Sequence, residues 1–363
     1  MTDWIDDLAQ LRERHEPAVV VTVAATKGSV PREPGTKMIV TRERVYGTIG
    51  GGHLELQAIS IARDQIVARA GSDDWLRRFP LGASLGQCCG GVVNLLFESA
   101  TDNSPWLDAL LTLRRDRVPC MVVSAARASS DAGKLIVTAD RVYGAEDLLD
   151  AKALHTVRAL LEHRDNARLW RSGASDDAPL FFLDPIFPCD FAIVLFGAGH
   201  VGRALVRVLA DAHCRVTWVD AREEEFPADI PANAKIVCTD VPEAEVDAAA
   251  AGSYFLVMTH SHALDETLAE RILQRTDFAY FGLIGSRAKR QQFERRLERR
   301  GMPRIRFAAM TCPIGVAGIA GKEPSTIAIA VAAQLLQTYA RRSAEGSAAA
   351  ALATKAASAG VDS

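Results

Sequence analysis

Two adjacent cysteines form the chemically richest short segment of this chain. Cys88 and Cys89 follow Gln87 and precede two glycines. Neighbouring cysteines close a disulfide only with distorted geometry, so a structural bridge between them is disfavoured. Their thiolates could instead bind a soft metal or relay sulfur, because the glycines let the backbone approach a ligand and Gln87 adds an amide donor and acceptor. The alternative is a pair of small buried hydrophobic residues beside a turn.

A glycine run and a basic loop form a second candidate site, which is suited to an anion. Three glycines, including Gly51 and Gly52, lead into His53 and a helical pattern, and Arg32 stands in the loop after an earlier strand. Free N–H groups at a helix start, together with a guanidinium, would suit a phosphate or an anionic pterin. The alternatives are a tight strand-to-helix turn and, for His53 and Glu55, capping of the helix.

A third candidate site is a glycine-rich loop between a buried strand and a helix. Residues 191–196 form a continuous apolar run, as a central parallel strand requires. The loop that follows contains Gly197, Gly199, His200 and Gly202. Asp220 ends the next strand roughly twenty residues later, where dinucleotide-binding folds place a ribose-binding carboxylate. His200 could meet a phosphate or face a ligand, and the alternative for the whole loop is a retained fold with an altered ligand.

Three polar segments follow predicted strands further along the chain, at the edge of an open α/β sheet where ligands bind. They are residues 259–265, 282–290 and 311–315. His260, His262 and Asp265 could hold a metal, but they lack a clear third ligand shell, so capping of the next helix is favoured.

Ser286 belongs to the second of these segments. It would cap a helix and, with Arg287 and Lys289 behind it, form a phosphate clamp. The competing interpretation is an ordinary solvated basic helix, because arginines continue along it.

The strand and helix patterns around these residues predict an α/β protein with two domains and a C-terminal tail. Residues 1–184 show strand and helix patterns typical of a mixed α+β domain. Residues 185–341 alternate apolar strands with helices, which predicts a Rossmann-like, doubly wound parallel sheet. Two prolines between residues 184 and 190 favour a boundary there. Residues 342–363 are rich in alanine and serine without an apolar face, so we expect a disordered tail.

Composition excludes several classes of function. A formal net charge of −3 over 363 residues gives no general attraction to nucleic acid or to an acidic membrane. Seven cysteines without paired spacing argue against a disulfide scaffold. The acidic N-terminus lacks the form of a signal peptide, and no apolar run reaches spanning length. We therefore expect a cytoplasmic protein that binds neither nucleic acid nor membrane.

Taken in order, the motifs of this chain resemble those of the XdhC/CoxI family, the accessory proteins of xanthine dehydrogenase. The resemblance covers about nine tenths of the chain and rests on residues 27–32, 50–55, 87–91, 196–202, 259–260, 282–286 and 312–315. It implies a chaperone, rather than a turnover enzyme, that binds molybdenum cofactor (molybdopterin). Such a chaperone holds the cofactor while a cysteine desulfurase supplies the terminal sulfur ligand. It then delivers the cofactor to the molybdenum-binding subunit of apo xanthine dehydrogenase.

Three functional hypotheses follow. In the first, one thiolate of Cys88 or Cys89 contacts the molybdenum of a carried cofactor, Gln87 positions it, and the anion loops hold the phosphate. The second is an NAD(P)-dependent oxidoreductase that uses the Rossmann-like domain, and the third is a metal-dependent hydrolase built on His260. Which domain holds the cofactor, which cysteine contacts it, whether a nucleotide binds and which molybdoenzyme is served stay open. A homodimer is expected, because the first sheet and the arginine-rich helix leave surface for one.

Overall fold

The computed structural model describes residues 4–68, 75–81, 90–100, 105–126 and 134–359, with no side-chain description beyond residue 345. Contacts divide the chain into two units. The first comprises Met1–Pro188 and Thr354–Ser363, and the second comprises Cys189–Ala353. Each unit has its own sheets.

Strands rich in β-branched residues, covered by helices with one apolar face, make up the first unit. Its elements are α1 (Trp4–Glu13), β1 (Ala18–Lys27), β2 (Lys37–Thr41), β3 (Val45–Gly47), α2 (Gly52–Ala68), β4 (Leu76–Pro80), β5 (Val92–Ala100), α3 (Pro105–Arg115), β6 (Cys120–Ala125), β7 (Lys134–Val137), β8 (Val142–Gly144), a 3-10 turn (Glu146–Leu148), α4 (Ala151–Glu162), β9 (Arg168–Arg171) and β10 (Leu180–Ile186). The strands form two five-stranded sheets, ordered β3-β2-β1-β5-β4 and β8-β7-β6-β10-β9. Neighbouring strands in both sheets are antiparallel.

Two copies of one segment build these two sheets. Each copy runs helix, three strands, helix, two strands, and the strand orders correspond one to one. The sequence repeats as well: Lys-Met-Ile-Val-Thr-Arg-Glu-Arg-Val-Tyr-Gly at 37–47 returns as Lys-Leu-Ile-Val-Thr-Ala-Asp-Arg-Val-Tyr-Gly at 134–144. The first helix of each copy also has a matching tryptophan in its first turn, Trp4 in α1 and Trp106 in α3. The first unit is therefore an internal repeat, with the first copy in residues 4–100 and the second in residues 105–186.

In the core of the first unit, some hydrophobic clusters belong to one copy and others contain residues of both copies. Helix α2 buries Ala58 against the first sheet, and α4 buries Val157 against the second. Helices α1 and α3 pack with Val20 of β1 and Val122 of β6 in one hydrophobic cluster. The two copies thus share a core, which makes each copy part of the other's folding environment.

The second unit alternates buried strands with helices. Its elements are β11 (Ala192–Phe196), α5 (His200–Val208), β12 (Arg215–Asp220), β13 (Ala234–Cys238), α6 (Glu243–Ala248), β14 (Tyr254–Val257), α7 (His262–Gln274), β15 (Tyr280–Leu283), α8 (Arg287–Arg299), β16 (Met310–Thr311) and, up to Ala353, α9 (Pro324–Ala359), with 3-10 turns at Glu223–Glu225 and Arg304–Ala309. The six strands are parallel, in the order β13-β12-β11-β14-β15-β16. This is the strand order of dinucleotide-binding folds, whose ligand crevice lies where the order reverses, here between β11 and β14. The predicted fold class, a mixed N-terminal part followed by a Rossmann-like parallel sheet, is confirmed.

The alanine-rich C-terminal segment differs from the sequence expectation. Helix α9 continues to Ala359, so residues 342–359 are helical where composition predicted a disordered tail. Alanine is the strongest helix former and requires no apolar face to continue a helix that has already begun. Among the described residues, no helix, including α9, is both long enough and apolar enough to cross a membrane.

Candidate functional site

The loop that carries Arg32 lies against the glycines that follow the cysteine pair. A Cβ added at Gly91 would stand 2.4 Å from the carbonyl oxygen of Ser29 and 2.8 Å from that of Lys27. From the other side, a Cβ added at Gly28 would stand 3.3 Å from the Cα of Gly91. Backbones approach this closely only where a side chain is absent. The Arg32 loop and the chain leaving the cysteines are therefore in direct contact.

A second glycine contact joins the Arg32 loop to the glycine run before α2. A Cβ added at Gly50 would stand 2.7 Å from Cβ and Cγ of Pro31 and 3.4 Å from Cγ of Arg32. Gly50, Gly51 and Gly52 have φ values of 119°, 75° and 67°, which residues with a side chain rarely adopt. A Cβ added at Gly51 would meet none of the described residues within 4 Å. Three sequence motifs thus meet at one end of the first sheet.

The two ends of the cysteine-containing segment are hydrogen-bonded to each other. The Leu81 N–H donates to the Gly91 carbonyl at 2.8 Å, and Leu81 is fully buried. Gln87, Cys88 and Cys89 lie outside the described residues, so their contacts stay predictions. The segment nevertheless begins and ends beside the Arg32 loop, because Gly91 is common to both contacts.

Glu55 holds the glycine run in its conformation. Its Oε2 accepts from the N–H groups of Ile49 and Gly51, each at 3.0 Å, and from Thr48 Oγ1 at 2.5 Å. A carboxylate in the first turn also complements the positive end of the helix dipole. These contacts agree with the capping interpretation of Glu55. They also show that the Gly51 amide is already bonded within the chain.

Several charged or titratable side chains are exposed on the adjoining loops. Lys27, Arg32 and His53 face solvent, with Glu33 as an acidic neighbour. Of the predicted residues, Arg32 lies on a loop that contacts the glycine run at Gly50, Gly51 belongs to that run, and Gly52 and His53 are the first two residues of α2.

In the second unit, two of the three loop glycines are explained by packing and one is not. Gly197 has φ 115°, and an added Cβ would stand 2.3 Å from the carbonyl oxygen of Met258. At Gly202 it would stand 2.2 Å from the carbonyl oxygen of Gly197. Gly199 has an ordinary φ of −66°, and within the described part of the chain no atom lies within 4 Å of an added Cβ. Gly199 thus borders open space beside exposed His200, at the N-terminus of α5, where such folds bind phosphates.

The carboxylate of Asp220 is occupied by contacts within the chain. Oδ2 accepts from the Ala198 N–H at 2.7 Å and from Arg222 Nη2 at 2.9 Å, and Oδ1 accepts from the Arg222 N–H and Nε at 3.1 and 3.0 Å. A carboxylate has about four lone-pair positions that can accept hydrogen bonds, and these four donors occupy them. Burial alone would raise the pKa of Asp220, but these hydrogen bonds outweigh it and hold the pKa below its usual value. A ribose hydroxyl would have to displace one of these donors.

Asp265 and Lys289 form a buried ion pair between the segments that follow β14 and β15. Lys289 Nζ lies 2.6 Å from Asp265 Oδ2 and also donates to the Ile284 carbonyl at 2.9 Å. Asp265 Oδ1 accepts from Thr259 Oγ1 at 2.7 Å. Ser286 caps α8, as predicted, with Oγ accepting from the Lys289 N–H at 3.2 Å. The phosphate clamp predicted around Ser286 therefore lacks Lys289, whose ammonium is directed to Asp265.

The two histidines after β14 do not form a metal site with Asp265. His260 and His262 are exposed, whereas Asp265 is 1% exposed and paired with Lys289. The cap of α7 is Ser261, so the capping interpretation holds for the segment and the histidines are not the capping groups. Within the described ranges, no group of three or more His, Cys, Asp and Glu side chains could hold a metal ion.

Two features of the structure were not predicted, although the sequence contains an indication of each. Arg222 stands two residues after Asp220, and an arginine so close to an acid indicates an internal ion pair as readily as a ribose site. The repeated eleven-residue segment would have predicted two matching sheets. Both indications concern contacts within the chain rather than contacts with a ligand.

Comparisons with known proteins identify similar sequences for both units. A family model described as the XdhC and CoxI family matches residues 11–80, and one described as the XdhC Rossmann domain matches residues 193–335. Together they cover more than half of the chain. The uncharacterized protein YqeB of Escherichia coli (strain K12) is 30% identical over 146 residues, which are 40% of this chain and 27% of that protein's length. This chain therefore spans about a quarter of the length of that relative.

One solved structure is similar over nearly the full length of the chain. It is the crystal structure of a protein from Bacillus halodurans described as a xanthine dehydrogenase. The two chains are 20% identical, with a TM-score of 0.70, and the match covers 93% of this chain and 96% of that one. At this identity the likeness shows a shared fold.

Proposed function

The chain belongs to the XdhC and CoxI family, and we propose that it is a xanthine dehydrogenase accessory protein that carries molybdenum cofactor. The proposal is supported by both family matches and by a similar fold described as a xanthine dehydrogenase. The observation that carries it is the meeting of the Arg32 loop, the glycine run and the chain leaving the cysteines, through Gly91 and Gly50. This arrangement places the exposed loop that carries Arg32 against Gly91, which follows Cys89 by two residues in the sequence.

The residues present suit both ends of the proposed cofactor. Molybdenum cofactor would supply a metal bound by a pterin dithiolene that ends in a phosphate. Exposed Arg32 and Lys27 would bind the phosphate, because a guanidinium gives two parallel donors to phosphate oxygens. The Gly51 amide contributes less than the sequence suggested, since Glu55 already accepts from it. One thiolate of Cys88 or Cys89 would bind the soft metal end, and Gln87 would orient it.

A carrier must also release its cargo. A single thiolate contact and exposed cations bind more weakly than a closed cage of several ligands, which favours transfer. The proposed donor of sulfur is a cysteine desulfurase, and the proposed acceptor of the loaded cofactor is apo xanthine dehydrogenase. A reducing cytoplasm would keep the thiols free for this exchange. We include a homodimer in the proposal as the assembly expected from sequence.

Purification from a host that makes the cofactor tests this function. Molybdenum and pterin should copurify in equal amounts with the wild-type protein. Cys88→Ala and Cys89→Ala, made separately and together, should lower molybdenum retention and sulfuration, while Cys238→Ala, which removes an exposed cysteine of the second unit, should not. Unchanged retention and sulfuration in all cysteine variants would overturn the thiolate role. Absence of molybdenum and pterin, with bound nucleotide instead, would overturn the function.

An NAD(P)-dependent oxidoreductase is the second candidate, and one observation favours it. Gly199 borders open space at the reversal point of the parallel sheet, where dinucleotides bind in such folds. The occupied carboxylate of Asp220 opposes it. Titration with NAD(H) and NADP(H) separates the candidates when it is followed by assays of aldehydes with the reduced nucleotides and of hydroxy acids with the oxidised ones. Hydride transfer would favour the oxidoreductase, and its absence the carrier.

A further inference from the structure

The two copies in the first unit contact each other in a reciprocal pattern. Arg114 of α3 binds Asp6 of α1 at 2.9 Å, and Arg12 of α1 binds Asp108 of α3 at 2.7 Å. These four residues occupy matching places, because each aspartate stands two residues after the matching tryptophan and each arginine six residues later. Such an exchange, in which residue i binds j and the equivalent of j binds the equivalent of i, is the pattern of a two-fold interface.

Two buried ion pairs follow the same rule. Lys37 begins β2 and lies 2.6 Å from Asp184 of β10, in the other copy. Lys134 begins β7 and lies 2.6 Å from Glu98 of β5. The side chains are similarly buried, 5% and 9% exposed in the first pair and 12% and 6% in the second. Each lysine also sits 5.0 Å from the ring of the matching tryptophan, Trp4 or Trp106.

The strand registers confirm that the two pairs are equivalent. Lys37 lies opposite Thr22 of β1, and Lys134 lies opposite Ser124 of β6. Glu98 lies opposite Val20, two residues before Thr22, and Asp184 lies opposite Val122, two residues before Ser124. The structure therefore contains two versions of one contact, each crossing from one copy to the other.

The copies differ in the segments proposed to bind the cofactor. In the first copy, a three-glycine run precedes α2, and Gln-Cys-Cys-Gly-Gly lies between β4 and β5. The second copy has Ala-Glu-Asp-Leu-Leu-Asp at 145–150 and Ser-Gly-Ala-Ser-Asp-Asp-Ala-Pro at 172–179. It therefore lacks both motifs while keeping the shared core and the reciprocal ion pairs.

The Arg32 loop ends on the second copy. Lys37 Nζ, held by Asp184, also donates to the Gly35 carbonyl at 3.3 Å. A Cβ added at Gly35 would stand 3.0 Å from Cβ of Ala167 and 3.6 Å from Asp184 Oδ1. The Gly35 N–H donates in turn to the Val23 carbonyl of β1 at 2.9 Å. The loop is thus fixed at its C-terminal end by groups of the other copy.

We propose that the second copy is a support without its own ligand site, and that Lys37 and Asp184 are positioning residues that hold the Arg32 loop for cofactor binding in the first copy. The inference rests on the proposed function for its ligand and on the reciprocal contacts for its geometry. It explains why the second copy keeps its ion pairs although its sequence lacks both motifs.

The matched ion pair supplies the control. Asp184→Asn and Glu98→Gln each remove one buried carboxylate charge and leave a buried lysine without its ionic partner, so both should lower the melting temperature. Amide hydrogen exchange on the ligand-free protein then separates them. Asp184→Asn should speed exchange at Gly35 and its neighbours in the Arg32 loop, whereas Glu98→Gln should leave those amides protected. Equal exchange in that loop for both variants would overturn the positioning role.

Cofactor retention is the second readout, measured on protein purified from a cofactor-producing host. Asp184→Asn should retain about tenfold less pterin than Glu98→Gln, as expected when a group that orients a binding residue is lost. If single variants do not fold, Lys37→Met with Asp184→Leu, against Lys134→Met with Glu98→Leu, replaces each pair by apolar groups of similar volume. Equal retention in the two double variants would overturn the inference. Absence of pterin from the wild type would instead overturn the proposed function, and the exchange result would still decide the positioning role.

Discussion

Replacing Gly91 by alanine tests the contact between the Arg32 loop and the chain that leaves the cysteines. The new Cβ would stand 2.4 Å from the Ser29 carbonyl oxygen and 2.8 Å from both the Lys27 carbonyl oxygen and Val30 Cγ1. Two of these three atoms belong to the backbone and cannot rotate away. Gly91 does not have a left-handed φ, so alanine itself is unstrained and the whole effect comes from overlap. Overpacking of this kind costs about 2 kcal/mol.

Gly90 provides a control one residue away. Among the residues that the structure describes, a Cβ added there would meet none within 4 Å, and the φ of Gly90 is also outside the left-handed region. Gly90→Ala should therefore be neutral or more stable by roughly 0.4–1 kcal/mol, because alanine reduces the entropy of the unfolded chain. The pair of variants thus separates overlap from a general effect of removing glycine.

Urea unfolding followed by tryptophan fluorescence measures the difference, since four of the five tryptophans lie in the first unit. With a urea dependence of about 2 kcal/mol per molar, Gly91→Ala should lower the midpoint by about 1 M. It should also lower pterin retention, because the Arg32 loop must move away from the cysteine segment. Equal midpoints and equal pterin retention for Gly91→Ala and Gly90→Ala would refute the reasoning.

Three further predictions concern other parts of the chain. Gly202→Ala should lower the melting temperature because its Cβ would overlap a carbonyl oxygen at 2.2 Å, whereas Gly199→Ala, which faces open space, should not; equal losses would contradict the packing argument. The pKa of Asp220 is lowered in the folded state, so its carboxylate stabilises the fold above the ordinary aspartate value of about 3.9, and this contribution is lost as the pH falls through the folded value. The stability difference between the wild type and Asp220→Asn should accordingly shrink on acidification from about pH 6 to about pH 2, and a constant difference would count against the linkage. Burial raises the pKa of Cys120 to about 12, so mass spectrometry after brief alkylation near pH 8 should find exposed Cys238 modified and Cys120 intact, and the reverse order would contradict the burial of Cys120.

Local patterns predicted the elements whose signals are contained in short segments. The apolar run before Gly197 and the helical spacing after it predict a central strand and α5, because neighbours in sequence supply both signals. Residues 42–44 connect the antiparallel strands β2 and β3, and this connection is equally local, because three charged residues stand between two short strand-forming segments. Ser286 was predicted as a helix cap for the same reason, since a cap binds an amide three residues away.

Local sequence patterns did not predict the contacts between segments that are distant in the chain. The ribose role of Asp220 was inferred from its distance to the glycine loop, yet the fold directs the Ala198 amide and Arg222 onto its oxygens. The place of Lys289 in a basic helix predicts a phosphate clamp, but the fold brings buried Asp265 to its ammonium instead. A buried carboxylate requires a partner, and which cation reaches it depends on how helices pack on the sheet.

By itself, the sequence determined the order of the motifs, the family they belong to and the fold of the second unit, because these depend on residue types at short spacing. It also contained the eleven-residue repeat of the first unit. Only the tertiary structure decided that Gly91 and Gly50 bring three motifs to one end of a sheet, and that each copy supplies an ion-pair partner to the other. The physical reason is that a glycine's close approach and a buried ion pair are set by the distance between segments far apart in the chain, which no local pattern specifies.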